Sequence, residues 1–85
     1  MSEVSRVTKT FTPKQGQYLA FIHAYTRLHR RPPAEADFQQ YFGVSPPSVH
    51  QIVLTLERAG FIARQAGVPR SIKMLIDPQH LPALR

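Results

Sequence analysis

The sequence predicts a mainly α domain with a small β-hairpin, built from three helices and a two-stranded wing. Three observations carry that prediction. Apolar residues recur at helical spacing in three successive stretches that end near residue 59. Between the second and third stretches lies Phe-Gly-Val-Ser-Pro-Pro (42–47), a tight turn that joins two helices. After Gly60 the apolar period falls from 3.6 to 2, the mark of a short strand pair. Two helices about a tight turn, preceded by a helix and followed by a hairpin, make a winged helix-turn-helix.

The first helix starts sharply. Thr12, Pro13 and Gln15 supply an N-cap, a first-position proline and a T-x-x-Q capping box. Tyr18, Leu19, Phe21, Ile22, Tyr25 and Leu28 form its expected buried stripe. Gly16 weakens the first turn by up to about 1 kcal/mol relative to alanine. Arg27, His29, Arg30 and Arg31 gather at the other end, where cations suit the negative end of the helix dipole. That reading is preferred to DNA-phosphate contact, because the end of a first helix is often distant from the duplex. Pro32 and Pro33 then stop the helix. Residues 1–11 have no helical period and read as a flexible basic arm carrying Arg6 and Lys9.

In the second helix Phe38, Tyr41 and Phe42 are expected to bury one side. Glu35 and Asp37 fall in its first turn, so two of only five acids sit on an element expected to face away from an anionic partner. Gly43 can take the left-handed conformation that ends a helix, and Val44 plugs the space between helices. Ser45 is the N-cap of the third helix, and Pro46 and Pro47 stiffen its start. Val49, Ile52, Val53 and Leu56 point inward. The opposite side shows Pro47, Gln51, Leu54 and Arg58, flanked by Ser48, His50 and Thr55.

The hairpin is expected to pair residues 61–65 with 70–76 through a turn at 66–69 that contains Gly67. Arg64, Arg70 and Lys73 fall at or near its exposed tip. Met74, Leu75 and Ile76 leave both faces of the returning strand apolar; Leu81 and Leu84 of the tail are expected to pack back over their own domain, the alternative being contact with a second copy. The expected organisation is thus an arm at 1–11, a winged helix-turn-helix domain at 12–76 and a tail at 77–85.

Composition narrows the function. The chain has 85 residues, enough for one domain, and no cysteine, which excludes disulfides, a thiol nucleophile and a cysteine-based zinc site. No apolar run approaches the roughly 18 residues of a membrane span. The net charge of +6 and pI near 10.6 point to a polyanionic partner. His23, His29, His50 and His80 make no H-x-x-x-H, and neither paired carboxylates nor a Gly-rich phosphate loop accompany them. No enzyme activity, cofactor, metal or small-molecule ligand is expected.

The outward side of the third helix, free of acids until Glu57, suits the major groove of DNA. Glutamine pairs bidentately with adenine, serine and threonine bond to several base edges, and apolar groups meet the thymine methyl. The bland alternative is a solvated helix face. From Thr12 to about Leu75 the chain resembles the N-terminal DNA-binding domain of LexA-type repressors. The resemblance lies in PPA-x-x-x-F, Y-F-G-V-S-P, L-E-R-A-G and G-x-P-R-S-I, in that order. It implies that operator bases are read by Ser45, Pro47, Ser48, His50 and Gln51, with the wing contributing near Arg70. Pro47 and Leu54 replace polar or basic residues of the family pattern, so the operator should differ from an SOS box. Ala34 stands where a hydroxyl cap is usual. The Ser-Lys self-cleavage domain of the family lies outside these 85 residues, so no self-cleavage is expected and the chain reads as a stand-alone bacterial, plasmid or phage member.

The expected function is sequence-specific binding of double-stranded DNA in transcription regulation. Recognition helix 45–59 would enter the major groove, and wing 64–73 would meet the backbone or minor groove. The candidate contacts are Ser45, Pro47, Ser48, His50, Gln51, Leu54, Arg64, Arg70 and Lys73. A homodimer is the expected binding form, with assembly on DNA itself as one route, and the expected location is the cytoplasm, on the nucleoid when bound. The alternatives are a winged helix that binds protein, or a nucleic-acid binder without sequence preference.

Overall fold

A computed structural model describes residues 10–85; the expected basic arm lies almost wholly outside the described residues. The elements are α1 (Pro13–His29), α2 (Glu35–Phe42), α3 (Pro46–Arg58), β1 (Ile62–Ala63) and β2 (Lys73–Met74), followed by a 3-10 turn at Pro78–His80. This is the expected winged helix-turn-helix.

Local chemistry sets each helix end. The Thr12 N–H donates to Gln15 Oε1 at 2.9 Å, and the Gln15 N–H donates to Thr12 Oγ1 at 3.1 Å, completing the capping box. Ala34 offers α2 no side-chain acceptor; instead the Asp37 carboxylate accepts the Ala34 N–H at 2.7 Å. One half of a capping box therefore stands in for the absent hydroxyl. Gly43 closes α2 at φ 66°, where a side chain would be strained, and its N–H donates to the Gln39 carbonyl at 2.9 Å. Arg30 closes α1 in the same left-handed conformation, at φ 61°.

The core gathers Tyr18, Leu19, Phe21 and Ile22 of α1, Phe38 of α2, Val49, Val53 and Leu56 of α3, and Phe61, Ile62 and Ile72 of the wing. Tyr18 stacks on Phe42 and Phe38, with ring centroids 4.2 and 5.5 Å away. Leu75, expected under the tail, stays exposed, and two helix residues expected in the core lie outside it. Leu28 is 76% exposed and Tyr41 47%. Both line a shallow groove between α1 and α2, with Phe21, Tyr25 and Leu84.

Among the described residues, the buried Tyr18 hydroxyl has no hydrogen-bond partner. Burial raises its pKa above the ordinary 10.0. An unmet buried donor is costly, so Tyr18→Phe is expected to stabilise the protein by about 1 kcal/mol in chemical denaturation. The folded state prefers the neutral phenol. The stability this contributes is complete below the unfolded pKa of about 10 and is lost as pH rises through the higher folded value. Alkaline unfolding should therefore move to higher pH in Tyr18→Phe; an unchanged or earlier transition would contradict this reading of the hydroxyl.

The strands are shorter than the sequence suggests. Only Ile62 with Met74 and Ala63 with Lys73 pair, rather than the whole of 61–65 and 70–76. On one side a backbone bond from the Leu75 N–H to the Phe61 carbonyl at 2.8 Å extends the pairing, and toward the tip side-chain chemistry replaces the ladder. The Gln65 N–H donates to Ser71 Oγ at 2.9 Å, and that hydroxyl lies 3.1 and 2.8 Å from the Gln65 and Val68 carbonyls. Arg70, at φ 57°, breaks the extended backbone beside it.

The tail returns over α1 of its own chain. Gln17 donates from Nε2 to the Ala83 carbonyl at 2.9 Å and accepts the Arg85 N–H at 2.8 Å, while Leu81 and Leu84 pack on the core. This explains Gly16. A methyl group there would lie 3.0 Å from Pro82 Cγ and 3.1 Å from the Phe11 ring.

Candidate nucleic-acid interface

The start of α3 is built by Ser45. Its hydroxyl accepts the Ser48 N–H at 3.4 Å and donates to Ser48 Oγ at 3.0 Å. Part of the hydrogen-bonding capacity of both serines is thus spent on the cap. Pro46, Pro47, Ser48, His50 and Gln51 are all exposed, while Val49, Val53 and Leu56 anchor the other side of the helix in the core. Leu54, expected to be exposed, is half-buried. The Thr55 hydroxyl donates to the Gln51 carbonyl at 2.9 Å, so its hydrogen is turned inward.

His50 is not free. Its Nδ1 lies 3.1 and 3.3 Å from the two carboxylate oxygens of Glu35, at the start of α2. An acid expected to face away from the interface therefore stands at its edge, because the first turn of α2 meets the middle of α3. A groove of about 360 Å³ runs beside this pair, bounded by Pro33, Ala34 and His50 on one side and wing residues 67–72 on the other.

The wing places its cations differently from the sequence expectation. Arg64 Nε donates to Glu57 at 3.0 Å, and only 15% of the Arg64 side chain is exposed. Arg64 thus ties β1 to the end of α3 and does not project from the tip. Arg70 also turns inward. Its Nη1 lies 3.1 Å from the Tyr25 hydroxyl, 3.2 Å from the Pro32 carbonyl and 3.1 Å from Asp37 Oδ2, and its guanidinium sits over the Tyr25 ring. The Tyr25 hydrogen bond, with Asp37 adding its charge, holds the Arg70 pKa above its ordinary value. The left-handed backbone at Arg70 is what aims the side chain toward α1 and α2 instead of outward. Lys73 is exposed, but it lies in β2 opposite Ala63. The tip itself is Ala66, Gly67, Val68 and Pro69, an uncharged surface.

Sequence reasoning assigned no role in the site to Tyr25, Glu57 or the Pro32 carbonyl, and misplaced Glu35. Glu57 and Arg64 are seven residues apart, and a helix end followed by a strand with opposite charges is the one readable signal. The Arg70 partners lie 33 to 45 residues away in sequence, where no local pattern operates. Among the described residues, no group of three or more His, Asp or Glu is placed to hold a metal ion. No described helix is long and apolar enough to cross a membrane.

Comparison with known proteins agrees with this architecture. The family described as the LexA DNA binding domain matches residues 8–71. The LexA repressor of Pelotomaculum thermopropionicum is 37% identical over 73 residues, which are 85% of this chain and 36% of that protein. The LexA repressor of Thermosipho africanus is 32% identical over 71 residues, covering 84% and 36%. That of Geotalea uraniireducens is 37% identical over 65 residues, covering 75% and 32%. The chain thus spans about a third of the length of these relatives. With its helix-turn-helix, its wing and a family match across most of its length, the chain belongs to the LexA DNA-binding domain family.

Proposed function

We propose that this protein binds double-stranded DNA sequence-specifically and regulates transcription. Recognition helix 45–59 lies in the major groove, and wing 64–73 follows the adjacent backbone or minor groove. The observation that carries this reading is the exposed, acid-free N-terminal half of α3, held rigid by Ser45, Pro46 and Pro47 on a helix whose other side is buried. Family membership, a basic chain and relatives named repressors support it.

Within it, Gln51 and Ser48 read base edges, Pro47 and Leu54 offer apolar contact to thymine methyl groups, and Ser45 sets the pitch of the helix start. His50 meets a base or phosphate across the Glu35 carboxylate. Lys73 is the wing cation best placed for phosphate. Arg64 and Arg70 hold the wing in position. A single domain of this size makes few base contacts, so two copies on paired half-sites give useful specificity. The protein would act in the cytoplasm, on the nucleoid, and regulation of this kind requires no catalysis by these residues.

Selection from a random duplex pool at near-physiological salt tests the reading. An enriched motif supports it, and a palindrome in that motif gives the half-site spacing of a dimer. Retention without a motif would leave only backbone binding. No retention would turn attention to a protein partner.

Arg70→Ala separates support from contact. Because the guanidinium is engaged internally, the substitution is expected to lower the melting temperature and weaken binding to every duplex, with the log–log salt slope nearly unchanged. A slope shallower by about 0.9 would mean that Arg70 neutralises a phosphate.

A further inference from the structure

A second cationic surface borders the groove. Arg30 and Arg31 end α1 and lead through Pro32 and Pro33 into α2. Both are exposed, and among the described residues neither has a carboxylate within ion-pair distance. The described acids are engaged elsewhere: Glu35 with His50, Glu57 with Arg64, Asp37 with Arg70, and Asp77 with the Gln79 N–H. The positive charge of the corner is therefore not offset by any of them.

Its position is fixed from two sides. The Pro32 carbonyl accepts from Arg70 of the wing, and Glu35, just past the prolines, holds His50 of α3. Pro33 and Ala34 line the groove between α3 and the wing. The corner thus continues the same surface. Arg30 ends α1 at φ 61°, ψ 27°, a left-handed cap that glycine would fill without strain.

We propose that Arg30 and Arg31 form a phosphate anchor on the DNA backbone beside the half-site, extending the interface beyond the recognition helix and the wing. This rests on the DNA-binding reading above. The planar guanidinium fork matches phosphate oxygens, and a duplex backbone offers phosphates along the edge of the groove that the corner continues. The rival occupant is an acidic protein segment, which the exposed Leu28 nearby would also suit.

The test uses the whole chain and the duplex that it selects, with binding followed by fluorescence anisotropy between 50 and 200 mM salt, about the range over which phosphate contacts act most visibly. Arg30→Gly relieves the backbone and keeps the fold, Arg31→Ser is a surface change, and Lys14→Ser removes one charge about 24 Å away along α1. Each arginine substitution is expected to make the log–log salt slope about 0.9 shallower, and the pair about 1.8, with the selected motif unchanged. Lys14→Ser should leave the slope alone. A wild-type slope in both arginine variants, or an equal change in Lys14→Ser, overturns the anchor while the DNA-binding reading stands. An acidic-protein site at the corner would give that first result. Failure of the wild-type chain to bind any duplex sinks both.

Discussion

Replacing Phe38 by alanine is expected to destabilise the protein by about 3–5 kcal/mol, the range for removing a buried aromatic ring. Phe38 is fully buried, with its ring centroid 5.5 Å from Tyr18 and 5.0 Å from Phe21. It is the one residue by which α2 is fully anchored in the core. A domain of this size has a total stability of roughly 5–15 kcal/mol, so the loss approaches the whole at the lower end. The consequence reaches the interface. Unseating α2 moves Glu35 away from His50 and frees the Gly43 turn that aims α3. Chemical denaturation measures the effect, and a loss below about 2 kcal/mol would mean that the surrounding rings collapse into the gap.

Gln51→Ala is expected to remove about 1–3 kcal/mol of discrimination at particular base positions while leaving stability nearly unchanged. Gln51 is exposed, and among the described residues its side chain makes no hydrogen bond. Its neighbours are more committed: Ser45 and Ser48 share the cap, and His50 faces Glu35. Gln51 is therefore the polar side chain in the first half of α3 whose amide group is wholly available to a base edge. Affinities for the selected duplex and its single-base variants decide the matter. Equal weakening on every duplex would remove Gln51 from base reading and leave it a general contact.

Much of the fold is readable without coordinates because its causes are local. The Thr12–Gln15 capping box, the glycine at 43, the serine cap with two prolines and the spacing of Val49, Val53 and Leu56 each act within a few residues. The period change after Gly60 likewise announced the wing, although Ser71 and Arg70 shorten its strands. The errors fall where distance along the chain is large. Leu28 continues the apolar stripe of α1, yet it stays exposed in a groove it shares with Gln40 and Tyr41 of α2.

The charged groups divide in the same way. Sequence alone determined that the chain is basic, that α3 presents a polar face without acids before Glu57, and that cations follow in the wing. Which cations remain available to a polyanion was decided by tertiary structure. Arg70 is drawn to Tyr25, Pro32 and Asp37, Arg64 to Glu57, and His50 to Glu35, while Arg30 and Arg31 stay exposed. The physical reason is that a helix cap or an apolar period depends on neighbours in sequence. The partner of a long charged side chain depends on which elements the packed core brings within about 3 Å of its nitrogen atoms.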